Sequence, residues 1–353
     1  MSSGTLVFAI PGAPDQRTGG YLYDRRLAQE LAAIGWRVLP RRLPDSFPQP
    51  GADDLARAEA VLAALPPDSV VLIDGLAFAA LPSIAARHAD RLKLVALVHH
   101  PVGLETGLAA QCAARLRDSE RHALRFARAV IVTSATTAHT LAGEFGVPRD
   151  RIAVAPPGTD RAPLATGSGG AETALLAVAA VTRRKALDRL VAALAPLTDL
   201  PWRLRIAGSL ERDPGAVAAL QAAIAALPDP GRVRLLGELD ANTLSEAYTR
   251  TDLFVSSSVY EGYGMAVAEA IAHGLPVVAV AAGALVDWLD RGAALLVGPD
   301  DLRALTAALA RVIADPAERA RLRQGARAAR EHLPRWADTA RIVADVLHHV
   351  ARA

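Results

Sequence analysis

Cysteine is almost absent: Cys112 is the one thiol in 353 residues. A single thiol can build neither an intrachain disulfide framework nor a thiolate metal cluster. Cys112 reads as a small, buried or half-buried residue. Aromatics are scarce at 4%. The net charge is only +2, so no basic field draws the chain to nucleic acid. Long apolar runs are missing too. No stretch approaches the roughly 20 apolar residues of a membrane span. The N-terminal apolar run, 5–10, has the length of a buried strand and not of a signal peptide. The expectation is a cytoplasmic protein. Metal-ligand spacings are also lacking: neither H-E-x-x-H, H-x-H nor D-x-D occurs. Away from the acidic stretch discussed below, the sequence shows no charged pocket.

What is present is Ala, Leu and Val, within a 52% apolar composition. Domains usually run roughly 100–200 residues, so a chain of this length predicts two. Short apolar runs alternate with helix-period segments. The runs TLVFAI (5–10), WRVLPR (36–41), SVVLID (69–74), LKLVALV (92–98), AVIVTS (129–134) and RIAVAP (151–156) read as strands. A helix is expected near 20–34. Continuous apolar runs between helices mark strands covered on both faces of a parallel sheet. Residues 156–172 are rich in Pro, Gly, Ser and Thr, without periodicity, and read as a linker. The alternation then restarts with ALLAVAAV (174–181), RLRIAG (203–208), RVRLLG (232–237), DLFVSSS (252–258), PVVAV (276–280) and AALLVG (293–298). Helices are expected at 186–195, 214–226 and 264–273, and 301–353 reads as nearly all helical. Two doubly wound halves follow, with ligands outside the carboxyl ends of the strands and in the cleft between the domains.

The residues just after each strand are therefore the candidates. The G-x-G-x-x-G dinucleotide fingerprint is absent after the first strand, which argues against an NAD enzyme. Gly19 and Gly20 stand before a helix, where backbone N–H groups favour an oxygen-rich ligand or simply start a helix. LKLVALV runs into His99 and His100. Adjacent strand residues point to opposite faces, so the two do not readily share a metal. One imidazole there either reaches a substrate hydroxyl or is structural. Arg183, Arg184 and Lys185 form a cationic cluster suited to a diphosphate, or else a solvated charge run. Gly208 and Leu236 lie at the ends of two further strands.

The stretch YEGYGMAVAEAI (260–271) holds the two carboxylates Glu261 and Glu269 around a glycine turn. Strand, glycine loop and helix together present N–H groups and the positive end of a helix dipole, which suits phosphate. Glycine lets a ligand come close. A carboxylate accepts two hydrogen bonds and fits a vicinal diol. Glu269 would then hold a ribose and Glu261 a hexose, with the diphosphate between them. Otherwise Glu269 is an ordinary helix-face residue. A glycosidase would also pair carboxylates, but it needs neither the basic cluster nor the glycine-rich helix start.

These residues resemble the E-x7-E signature of retaining GT-B glycosyltransferases of family 4. The match includes the glycine loop, the helix and the following G-L-P-V-V-A. The paired glycines near the N-terminus, LVHH, the R-K pair, V-A-P-P-G-T-D and LLVGPDD add to it, over nearly the whole chain. The resemblance implies an α/β GT-B fold: two Rossmann-like domains facing a cleft, with C-terminal helices packing back toward the first domain. The domains would be 1–158 for the acceptor, 159–332 for the nucleotide sugar, and 333–353 returning to the first. It implies hexose transfer from a UDP- or GDP-linked sugar with retention, without a cofactor or an essential metal. Arg184 and Lys185 match the phosphate-binding pair, Glu261 the hexose contact, Glu269 the ribose contact and His99 the donor-site histidine. Gly262, Tyr263, Gly264 and Met265 match the loop facing sugar and diphosphate, with Ala266 next to it. Asp287 stands where many members have Glu.

Three departures concern the phosphates. Ala179-Ala180 replaces a Gly-Arg, so one cation is missing unless Arg183 substitutes. Pro156-Pro157-Gly158 replaces Pro-Asn-Gly, and Ser257-Ser258 replaces Pro-Ser. Competing readings on the same scaffold are a nucleotide-sugar epimerase or hydrolase, or a non-catalytic nucleotide-sugar-binding partner. The acceptor is expected to be a saccharide or lipid-linked glycan, contacted by loops around 11–19 and 99–107. The Arg-rich stretch 111–128 suits either a solvated helix or peripheral contact with the inner membrane surface.

Overall fold

The computed structural model describes residues 4–13, 16 and 18–352. Residues 14, 15 and 17 of the expected acceptor loop lie outside the described residues. The chain divides into two compact units, 1–158 with 334–353, and 159–333. Each holds one six-stranded parallel sheet.

The first sheet is built from β1 (Thr5–Pro11), β2 (Arg37–Leu43), β3 (Val70–Asp74), β4 (Lys93–Val98), β5 (Ala129–Val132) and β6 (Ile152–Val154). Their order is β2-β1-β3-β4-β5-β6. Helices cover both faces, so the inner strands are apolar without alternation. Leu6 to Ile10 of β1 and Val70 to Ile73 of β3 are all buried. Each fully buried Leu, Val or Phe contributes about 1.5–3 kcal/mol relative to exposure. The strand order reverses between β1 and β3, the kind of place where doubly wound sheets bind ligands.

The Trp336–Arg352 helix belongs to this first unit. Trp336, Val343, Leu347 and Val350 form its buried stripe and seat it on the Gly19–Ala33 helix. Trp336 meets Tyr23 edge-on at 5.6 Å, and Thr339 Oγ1 donates to the Pro156 carbonyl at 2.7 Å.

The second sheet is built from β7 (Thr173–Val178), β8 (Trp202–Ala207), β9 (Val233–Gly237), β10 (Leu253–Ser256), β11 (Val277–Val280) and β12 (Ala294–Val297). The order β12-β11-β10-β7-β8-β9 is the Rossmann arrangement, and its reversal falls between β7 and β10. The expected helices appear as Leu187–Leu194, Pro214–Ala225 and Met265–Ala272. A further helix, Ala241–Thr249, was not assigned from the sequence. Asp240 caps it by accepting from the amides of Asn242 and Thr243.

Gly208, at the end of β8, has φ of +147°, and a Cβ there would lie 1.9 Å from the Ala179 carbonyl oxygen. The Ala179-Ala180 segment thus lies directly against this glycine. Gly208→Ala is expected to destabilise the protein by more than about 2 kcal/mol through strain and overpacking. Urea denaturation of both proteins checks this, and an unchanged midpoint would refute the close approach.

Candidate functional site

In the second unit, the loops after β7 and β10 meet at the strand-order reversal. Residues 183–185 form a single 3-10 turn closed by Ala186 at φ +45°. The β10 loop grips this turn by its backbone. Val259 N donates to the Arg184 carbonyl at 2.9 Å, and Ser257 Oγ donates to the Lys185 carbonyl at 2.9 Å. The side chains complete the join. Lys185 Nζ lies 2.6 Å from Glu261 Oε1, and Arg184 Nη1 donates to the Tyr260 carbonyl at 3.1 Å, 3.9 Å from Glu261 Oε2.

Glu261 is 7% exposed. Burial would raise its pKa, but Lys185 and Arg184 outweigh that and hold it below the usual carboxylate range. The stability from this pairing is therefore present above the ordinary Glu value of about 4.3 and lost as pH falls through the lowered one. The Glu261 backbone is fixed as well. Its carbonyl accepts from Ala284 N at 2.9 Å, and Gly283 packs so close that a Cβ would lie 2.2 Å from that oxygen.

Lys185, Ser257, Glu261, Gly264 and Ala266 line one pocket together with Ala179. Gly264 opens the Met265–Ala272 helix with φ +94°, and a Cβ there would meet Leu285 Cδ2 at 2.4 Å. The sequence suggested that glycine here admits a ligand. The left-handed backbone and the Leu285 contact already demand it. Gly262 and Tyr263 form the turn, and Tyr263 faces the protein. Its ring stacks on Trp288 at 5.1 Å, and Trp288 Nε1 donates to its carbonyl at 2.8 Å. Met265 and Ala266 are half-buried in the first helical turn.

Glu269 is half-buried one turn further on and accepts from Tyr248 Oη at 2.9 Å. Burial pushes its pKa up to about 7, with Asp160 adding to the rise and the Tyr248 hydrogen bond opposing it. Three other expected residues stand apart from this pocket. Arg183 is 60% exposed, 3.9 Å from Asp213 Oδ2. Gly208 supports Ala179, and Leu236 is half-buried on the edge strand β9. On the Arg-rich Ala110–Leu124 helix, Arg121 bonds Asp118 and the Glu144 carbonyl.

The first unit holds a charged side-chain cluster that the sequence reading, with no metal site or charged pocket elsewhere, did not foresee. His99, just after β4, places Nε2 3.0 Å from Asp24 Oδ1 and 3.5 Å from Asp74 Oδ2. Asp24 is 2% exposed and Asp74 3%. Gly20 belongs to this group: a Cβ there would lie 3.2 Å from the imidazole. Gly19 is exposed at the same helix start. Burial disfavours the imidazolium, but the two carboxylates outweigh it and push the His99 pKa up. Burial also pushes Asp24 up, His99 opposes that, and Asp74 adds to it. The three ligand-type atoms lie within 4.8 Å of one another, a spacing a divalent cation would also accept. The His99 ring also pairs with Asp24 directly, and Asp74 accepts from the Leu76 amide at 2.9 Å.

The sequence carried a usable signal for both acids. Asp74 ends an apolar strand, and Asp24 shares a helix face with Leu27 and Leu31. Asp24→Asn removes one countercharge, so the His99 pKa should fall by at least about one unit. NMR titration of the His99 ring checks this, and an unchanged pKa would refute the pairing.

Comparison with known proteins agrees with this architecture. Residues 164–329 match the Glycosyl transferases group 1 family and residues 17–162 match Glycosyltransferase Family 4. A D-inositol 3-phosphate glycosyltransferase of Xylanimonas cellulosilytica is 32% identical over 62% of this chain and 56% of its own length. An MMP alpha-(1->4)-mannosyltransferase of Mycolicibacterium hassiacum is 28% identical over 65% of this chain and 58% of its own. The matched stretch thus spans little more than half of either relative. Among solved structures, sucrose-phosphate synthase from Thermosynechococcus elongatus superposes with a TM-score of 0.81, at 22% identity over 99% of both chains. HepE of Anabaena in complex with UDP-glucose gives a TM-score of 0.79, at 18% identity over 97% of this chain and 99% of that one. Likeness at such identities establishes the fold, two Rossmann-like units of the GT-B type. With both halves matched, almost without a gap from residue 17 to residue 329, this chain belongs to glycosyltransferase family 4.

Proposed function

We propose that the chain transfers a hexose from a UDP- or GDP-linked sugar to a hydroxyl of a saccharide or lipid-linked glycan. The transfer retains anomeric configuration and uses no metal. The observation that carries this reading is the Lys185–Glu261 ion pair beside Arg184, set against the glycine-opened start of the Met265–Ala272 helix. It offers fixed cations and a helix start to a diphosphate, and an ionised carboxylate to sugar hydroxyls. The relatives point the same way: one is named a mannosyltransferase, and the HepE structure holds UDP-glucose.

Each residue then has a physical role. Arg184 and Lys185 neutralise charge on the β-phosphate as the bond from the anomeric carbon to the phosphate oxygen breaks. An ammonium has three donors, so its bond to Glu261 does not exhaust Lys185. The first amides of a helix have no partner within it, and those at Met265 and Ala266 face the same charge. Glu261 accepts from hexose hydroxyls, and Glu269 accepts from the ribose diol. The acceptor oxygen attacks the oxocarbenium-like carbon on the face the diphosphate leaves. Its proton passes to the departing phosphate oxygen. His99, held as an imidazolium by Asp24 and Asp74, serves as a hydrogen-bond donor to the substrate.

Lys185→Ala, assayed at saturating donor, is expected to lower turnover about 100-fold, the scale of losing one transition-state charge contact. Product analysis by NMR should show the donor's anomeric configuration kept, and EDTA should leave the rate unchanged. Unchanged turnover in the variant would overturn the electrostatic role. Nucleotide release at full rate without acceptor would replace transfer by hydrolysis.

A further inference from the structure

Tyr248 lies in the last turn of the helix that runs from Ala241 to Thr249, outside every motif read in the sequence. It is 2% exposed. Its ring is held between two others: it stacks on His273 at 4.9 Å and 17°, and on Phe254 at 5.8 Å and 29°. The hydroxyl lies 2.9 Å from Glu269 Oε2 and 3.2 Å from the Ala266 carbonyl. A phenol has one proton to give. The nearer acceptor, which carries charge when ionised, takes it.

A free glutamate side chain turns about three bonds and presents its oxygens in many orientations. A vicinal diol needs both acceptors in one plane. The clamped phenol removes that freedom by anchoring one oxygen of Glu269. We propose that Tyr248 is a positioning residue, which orients the Glu269 carboxylate so that it accepts the two hydroxyls of the donor's ribose. This inference rests on the donor reading given above.

Burial and the neighbouring Glu269 charge hold the Tyr248 pKa well above its ordinary value, so the phenol stays a donor. The titratable groups that act on Glu269 are Tyr248 on the Ala241–Thr249 helix and Asp160 on the segment before β7, and His273, just past the end of the Glu269 helix, stacks on Tyr248. Arg330 acts on His273. Tyr248 is the partner that lowers the Glu269 pKa. Without its hydroxyl, Glu269 takes up a proton at higher pH, and any binding that needs the carboxylate is lost at higher pH.

The test uses the full chain and calorimetric binding. UDP and GDP are screened, and the tighter one is compared with its 2′,3′-dideoxy counterpart, in wild type and in Tyr248→Phe, which keeps the ring stack. Wild type should prefer the ribonucleotide by about tenfold or more, the scale of a hydrogen bond to a charged group. Tyr248→Phe should weaken ribonucleotide binding by about tenfold and dideoxynucleotide binding less than twofold. The acid limb of ribonucleotide binding should move to higher pH. In a Glu269→Gln background, adding Tyr248→Phe should cost little more, because coupled residues are not additive.

Equal weakening of both nucleotides, or full additivity with Glu269→Gln, would make Tyr248 merely structural and overturn the proposal. Wild type binding both nucleotides equally would instead overturn the assignment of Glu269 to ribose, and the inference with it.

Discussion

The second unit's site depends on one ion pair, the half-buried Lys185 with the buried Glu261. Taking two charges out of water costs several kcal/mol per ion, and attraction offsets this only when the geometry is good. The surroundings supply that geometry through the backbone. Ser257 and Val259 hold the carbonyls of Lys185 and Arg184, and Ala284 holds that of Glu261. Removing the Lys185 charge would leave the buried Glu261 carboxylate without its nearest countercharge, which is destabilising. One contact thus fixes an ammonium near the helix start and keeps a carboxylate ionised beside it. Its position follows from topology, because β7 and β10 are neighbours where the strand order reverses.

The first unit uses the same device with the charge ratio inverted. One imidazole just after β4 serves two buried carboxylates, Asp24 on the helix after β1 and Asp74 at the end of β3. The two carboxylates push the His99 pKa up against burial, and burial above all makes Asp24 reluctant to ionise. Each unit therefore places a buried charge cluster at the carboxyl end of its sheet, where the fold leaves room for a ligand.

The fold was legible because its signal is local. Strands such as TLVFAI are continuous apolar runs when covered on both faces, and helices such as Gly19–Ala33 and Met265–Ala272 stop just before a glycine. The helix at 241–249 escaped because its apolar face is thin and its chief signal is the Asp240 cap. Within the site, the glycine loop, the basic cluster and the two glutamates are adjacent in sequence or motif-bound, so they could be read directly. The pairing of Asp24 and Asp74 with His99, and of Tyr248 with Glu269, could not. Asp24 and His99 are 75 positions apart, and Tyr248 and Glu269 are 21 apart.

The sequence by itself determined two Rossmann-like halves and the candidate list Arg184, Lys185, Glu261 and Glu269, since hydrophobic period and motif spacing are properties of the chain order. Tertiary structure decided how those groups are paired. It set Lys185 against Glu261 instead of open solvent, put Arg183 beside Asp213, assigned Gly264 to a left-handed turn under Leu285, and gave Glu269 a tyrosine anchor. Burial and ion pairing depend on distances between segments far apart in the chain, and only the packed sheet sets those distances.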